Sequence, residues 1–229
     1  MKSTVDIKLE KNSGIRKKVN TRPELVMINY DNKLIQSINN DGLNLRYASK
    51  EQRDNIYIVI NAVNLNGMAI EFASSKLCDM SAMVIQAVQQ DGRALKYASH
   101  NVKNLLGPVL LAVRQNGLAL EFVPVAMIKL HPRIVCDAVK QNGLALKFIS
   151  HITMGMYTNF MYEAVKQNGL ALEYISHNLM RMHLQLVIVA LKQNYESIKF
   201  ISPSIFEGII RCSESISSKS YISSMIGTP

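Results

Sequence analysis

Tryptophan is absent from the 229 residues, and cysteine nearly so: Cys78, Cys136 and Cys212 are too few and too scattered for a disulfide framework or a paired-thiol metal site. No bridge is expected, and a reducing compartment is. Charge is scarce at 19% of residues, while 48% are hydrophobic, which excludes a disordered chain and leaves material for a packed core. No window approaches the roughly 18 to 20 apolar residues of a membrane span. The charged N-terminus has no apolar stretch behind it, so neither a transmembrane helix nor a Sec signal is expected. Catalytic signatures are missing too: no Walker A motif, GxSxG, GxGxxG after a strand, HExxH or isolated carboxylate pair occurs. No enzyme activity, cofactor, metal or small-molecule substrate is expected.

Charge is unevenly distributed. Residues 1 to 22 carry Lys2, Lys8, Lys11, Arg16, Lys17, Lys18 and Arg22 against Asp6 and Glu10, which is +5 of the total +9. A basic arm over residues 1–29 therefore precedes a nearly balanced body. At the other end, seven of the thirteen residues from Cys212 to Ser224 are serine, and residues 206–229 read as a polar, mobile tail.

Between these ends the sequence repeats. Glycines at 42, 67, 92, 117, 143 and 169 are separated by 25 or 26 residues, and Tyr195 stands 26 residues after the last. Around them run AVNLNGMAIEFAS, AVQQDGRALKYAS, AVRQNGLALEFVP, AVKQNGLALKFIS and AVKQNGLALEYIS, with looser copies SINNDGLNLRYAS and ALKQNYESIKFIS at the ends. Upstream of each glycine, apolar residues recur at helical spacing, as in Ile58, Val59, Ala62 and Val63, and the stretch ends in Asn or Asp before Gly. The glycine reads as a left-handed helix stop. The following Leu-Ala-Leu-charged-aromatic stretch reads as a second, shorter helix of about two turns. Asp54, Asp79 and Asn104 are placed to start the longer helices as N-caps, with Pro132 at the first helical position of the fifth unit. The expected fold is all-α: an α-solenoid of about seven two-helix repeats over residues 30–205, curved with the shorter helices inside.

Several columns recur down the array. The aromatic five residues after each glycine (Tyr47, Phe72, Tyr97, Phe122, Phe148, Tyr174, Phe200) has aliphatic neighbours and is expected to pack as a buried spine, so that Phe148→Ala costs roughly 3 to 5 kcal/mol if the site is closed. The residue before it alternates in sign (Arg46, Glu71, Lys96, Glu121, Lys147, Glu173, Lys199). A ladder of ion pairs between units is expected, setting register more than strength. Three residues before the glycine stand Arg114, Lys140, Lys166 and Lys192, each followed by Gln115, Gln141, Gln167 or Gln193. This stripe is the candidate partner-binding surface. His100, His151 and His177 recur eight residues after their glycines, which repetition explains without a metal.

The unit AVKQNGLALxFxS, with five close and two looser copies over about residues 30 to 205, resembles a short helical repeat family of unknown function found in proteins of intracellular bacteria and giant viruses. In the bacterial cases such proteins look like type IV-secreted effectors, and the polar end from Cys212 to Pro229 is similar to the C-terminal signals such effectors use. The resemblance implies no active site. Departures are Ser37 and Asn44 in the first unit, Pro124 for Ser in the fourth, and Tyr195 for Gly in the last. The expected function is a non-enzymatic protein-interaction scaffold, cytoplasmic in the producing cell and translocated to bind a host protein. The rival is an anionic-ligand binder, for RNA or acidic membrane, using the arm and the Arg114-to-Lys192 stripe.

Overall fold

A computed structural model describes residues 32–214, and side chains as far as Arg211. The basic arm, 1–29, and the tail beyond 214 lie outside the described residues. The chain is all-α, with no strand among the described residues, and its seven units stack neighbour to neighbour as a solenoid. Each unit opens with a long α-helix: Asn32–Asn40, Ile56–Leu65, Ser81–Gln90, Leu106–Gln115, Arg133–Gln141, Thr158–Gln167 and Leu184–Gln193. A six-residue 3₁₀ segment begins at the glycine or its equivalent, from Gly42–Tyr47 through to Tyr195–Phe200. A short α-helix then links to the next unit.

The expected second helix is thus a 3₁₀ segment, and what reads as a linker is itself helical. The 3₁₀ form follows from a period of three. Gly117, Leu120 and Val123 lie on one edge and are all buried, as are Gly143, Leu146 and Ile149. The Asn or Asp before the glycine is extended (φ −145°, ψ 109° at Asn116), and its side chain accepts the backbone N–H two residues on, Leu118 N to Asn116 Oδ1 at 3.0 Å. That bond caps the 3₁₀ segment and turns the chain between the two elements.

The glycines themselves correct the expected left-handed stop, since none has a positive φ. They mark closest approach between units. A Cβ on Gly42, Gly67, Gly92, Gly117 or Gly143 would lie 2.3 Å from the backbone oxygen of Ala62, Ala87, Ala112, Ala138 or Ala164 in the next long helix. The recurring Ala of units two to seven and the glycine of the unit before are therefore two halves of one contact. In the last unit Tyr195 stands at the glycine position and is exposed, because no eighth unit packs there.

Long helices bury residues on two sides. In the second unit Ile58, Val59, Ala62 and Val63 are all within the core, which lets one helix pack against both neighbouring units. Asp54, Asp79 and Asn104 are not the N-caps expected. They follow the short helices as C-caps, and the N-cap positions of the long helices are Asn55, Met80 and Leu105. Pro132 likewise sits one place before the helix Arg133–Gln141, in helical φ and ψ. The two aspartates link units instead: the Ser74 hydroxyl donates to Asp54 at 2.5 Å and the Ser99 hydroxyl donates to Asp79. Those serines, with Ser49, Ser150 and Ser176, also N-cap the linker helices.

The change of period from 25 to 26 falls in these linkers. The first three linker helices have four residues (Lys50–Arg53, Ser75–Cys78, His100–Lys103) and the next three have six (Val125–Leu130, His151–Met156, His177–Met182). Pro124 marks the transition. Ser74 and Ser99 each donate a backbone N–H to the preceding linker, at Arg53 and Cys78 (3.0 Å both), and proline has neither that N–H nor the hydroxyl. At the far end the expected mobile tail begins instead with a helix, Pro203–Glu214, whose Ile205 and Ile209 are buried against the last unit. Residues 206–211 are therefore part of a cap that covers the end of the core.

Candidate functional site: the cationic stripe and the linker edge

The stripe chosen from sequence separates into two chemistries. Its glutamines are exposed like the cations but turn their amide groups onto the joint between units. Gly92 N donates to Gln115 Oε1 at 2.6 Å, Gly117 N to Gln141 Oε1 at 2.5 Å and Gly143 N to Gln167 Oε1 at 2.6 Å, while Gly169 N donates to Gln193. Each amide nitrogen then donates to the preceding glutamine-position carbonyl, as Gln141 Nε2 to Gln115 O at 3.2 Å. One side chain thereby satisfies a half-buried glycine N–H and an end carbonyl of the neighbouring long helix. Both groups would otherwise be orphaned where the close glycine–alanine contact excludes water.

The cations of the stripe stay at the surface. Arg114 reaches into the next unit and pairs with Asp137 at 2.7 Å, and Lys166 stands 3.6 Å from Glu163 on its own helix. Lys140 and Lys192 are exposed. All four occupy the last turn of a long helix, where a cation complements the helix dipole. The four cations thus form a line at the surface.

The aromatic column is only half-buried, and Tyr47 is mostly exposed, which corrects the buried spine. The fully buried positions are its neighbours Leu45, Ile70, Leu95, Leu120, Leu146 and Leu172. The rings form the outer shell of the 3₁₀ layer. The alternating charges beside them make no ion pair with one another; Lys147 lies over its own Phe148 ring at 4.7 Å, and Arg46, Lys96 and Lys199 do likewise at 5.1 to 5.5 Å. A cation resting on a ring gains its attraction locally and leaves the acids exposed. One link does cross units: burial and then the Glu71 carboxylate push the Tyr97 phenol up.

The linker edge carries a feature that the periodicity concealed. In the last three linker helices the closing residue is apolar and exposed: Leu130 at 71%, Met156 at 69% and Met182 at 73%. Val125 (65%) and Ile152 (79%) stand on the same helices. Each helix turns a single side or pair of side chains inward, Met127 and Ile128, Met154, then Met180. The available signal was the 26-residue spacing of Leu130, Met156 and Met182 outside the conserved-looking core of the unit.

Cys136 is half-buried against the core in the column of Ile60 and Leu110, as its spacing implies. Burial pushes the Cys78 thiol up, and its sulfur lies 3.6 Å from Ile70 O. Among the described residues no cluster of three His, Cys, Asp or Glu side chains could hold a metal ion, and no helix is long and apolar enough to cross a membrane.

One family, described as a domain of unknown function (DUF4116), matches the chain three times, at residues 34–78, 109–152 and 158–206, together more than half of it. The chain belongs to the DUF4116 family. Each DUF4116 match spans close to two stacked units: the first runs from the long helix Asn32–Asn40 to the end of the linker helix Ser75–Cys78, and the third covers units six and seven. Two bricks per DUF4116 domain suit the geometry, because a single unit cannot complete the glycine–alanine contact alone. No curated protein and no solved structure matches the chain.

Proposed function

We propose that this DUF4116 protein is a non-enzymatic protein-interaction scaffold, a type IV-secreted effector that binds a host protein. The observation that carries the reading is the division of labour within the repeat. The recurring polar groups at the centre of each unit (Asn or Asp, Gln, Ser) are engaged in caps and inter-unit bonds, whereas the charged and apolar side chains that vary between units stand at the surface. A rigid, regular support carrying a varied surface is what repeat arrays use for partner recognition. The effector assignment rests on the resemblance of the repeat to those of secreted bacterial proteins.

The exposed cations Lys140, Lys166 and Lys192 favour a second reading, an anionic ligand such as RNA. Capture from host-cell lysate at low and high salt, with the full chain and with a chain lacking residues 1–22, separates the two. A defined protein retained at high salt by both chains supports the scaffold. Nucleic acid released by salt, and lost with the first 22 residues, supports the rival.

A further inference from the structure

The two halves of the linker edge differ in chemistry as well as length. Of the three linkers of the first half, 48–55 and 73–80 carry Glu51, Asp54 and Asp79, while 98–105 has no Asp or Glu and carries Lys103. Those of the second half, 123–133, 149–158 and 175–185, contain no Asp or Glu, and they carry Lys129, Arg133 and Arg181, all exposed. Arg133 has Asp137 behind it at 3.7 Å, and Arg181 donates to Asn178 at 2.7 Å, so each guanidinium keeps further donors for an external anion. The nearest acids in sequence, Glu121, Asp137, Glu163 and Glu173, belong to long helices or 3₁₀ segments, and of these Glu173 lines a groove together with His151 and His177 of the linkers. Exposed Leu, Ile and Met thus run along three consecutive linkers that carry no acid of their own, with cations beside them in the first and third and none in the middle one, 149–158.

We propose that this edge docks on an anionic lipid surface, with Leu130, Ile152, Met156 and Met182 entering the headgroup layer while Lys129 and Arg181 meet lipid phosphates. Exposures of 69% to 79% decide for lipid over a protein groove. Side chains so far out of the surface stand as separate tips, and a protein partner needs a pre-shaped pocket for each. A headgroup layer accepts apolar tips wherever they fall and rewards cations beside them. Met suits the task, since its unbranched side chain adapts to an irregular medium. This inference is independent of the scaffold reading, and the two together describe an array tethered along one edge with its other surfaces free.

The absence of tryptophan supplies the probe. Met156→Trp in the full chain places a single indole at a tip, and Tyr57→Trp places one on the long helix Ile56–Leu65 as a control. Titration uses phosphatidylcholine vesicles with and without about 30% phosphatidylserine. The expected result is a blue shift of the Met156→Trp emission, quenched by brominated lipid, only with the anionic vesicles, and no shift for Tyr57→Trp. Sedimentation with the same vesicles should weaken by about tenfold or more when Leu130, Ile152, Met156 and Met182 are all changed to Ser, and again when Lys129 and Arg181 are changed to Glu. All six positions are exposed, and a circular dichroism melt matching the parent confirms folding. Unshifted emission, equal binding by the serine variant, binding abolished by removing residues 1–22 alone, or an edge variant that loses a defined protein partner while the parent ignores vesicles would each overturn the proposal.

Discussion

Replacing Gly117 by alanine adds a Cβ 2.3 Å from the Ala138 carbonyl oxygen, whereas ordinary contact begins at 3.4 Å. Units four and five must then separate by about 1 Å. The Gly117 N–H bond to Gln141, 2.5 Å long, would stretch beyond hydrogen-bonding range along with them. Overpacking costs about 1 to 3 kcal/mol and the lost bond about 1 kcal/mol more, so a destabilisation of about 2 to 4 kcal/mol is expected. For a chain of this size that lowers the melting temperature by about 5 to 15 °C, followed by circular dichroism at 222 nm. Because each unit leans only on its neighbours, the transition should also broaden as the two halves uncouple. The sign of the effect is the test. Gly107, in the first turn of the helix Leu106–Gln115, has nothing within 4 Å of its Cβ position, so Gly107→Ala should be neutral or stabilise by up to about 1 kcal/mol. If Gly117→Ala behaves like Gly107→Ala, the close-approach account of the repeat glycine is refuted.

Gln141→Ala should cost about 1 to 2 kcal/mol by orphaning the Gly117 N–H, while Lys140→Ala beside it should stay within about 0.5 kcal/mol; equal losses in urea unfolding would contradict the division of the stripe. Leu146→Ala, fully buried, should cost about 2 to 5 kcal/mol and exceed Phe148→Ala, whose half-exposed ring costs about 2 kcal/mol; the reverse order would restore the buried aromatic spine. Hydrogen bonds from Ser99 and then Asn101 hold the Asp79 carboxyl below its ordinary 3.8. A lowered acid contributes stability that is present above that value and is lost as the pH falls through the folded one, so Ser99→Ala, which also removes a helix cap, should lower stability by a constant amount between pH 6 and 8 and shrink the acid-induced loss below about pH 4.

The repeat and its period were legible because the same side chains return every 25 or 26 residues, and so was the all-α fold, since Ile58, Val59, Ala62 and Val63 mark a helix without reference to anything distant. The 3₁₀ segments were harder to see. Six residues of Leu-Ala-Leu type suit an α-helix by propensity, and the three-residue spacing of Gly117, Leu120 and Val123 acquires meaning only with the neighbouring unit in place. The same holds for the glycines, since a requirement imposed by Ala138, 21 residues away, leaves no local mark that distinguishes it from a helix stop. Charge patterns misled for a related reason: alternation at Glu121 and Lys147 suggested pairing between units, but Lys147 finds the Phe148 ring next to it at less conformational cost. For the stripe, sequence located the residues but not their orientation, and Gln141 points into the joint whereas Lys140 points out. Leu130, Met156 and Met182 went unread because connecting segments carry no expected pattern.

Distances between equivalent sites along the array test the stacked-unit account most directly. With Cys78, Cys136 and Cys212 replaced, spin labels on Arg114 and Lys166 span two units, and labels on Arg114 and Lys192 span three. At the usual spacing of packed helices, roughly 8 to 10 Å, the account gives pulsed-EPR distances of about 16 to 20 and about 24 to 30 Å, rising by one equal step per unit. Distances that fail to grow with the number of intervening units would contradict it.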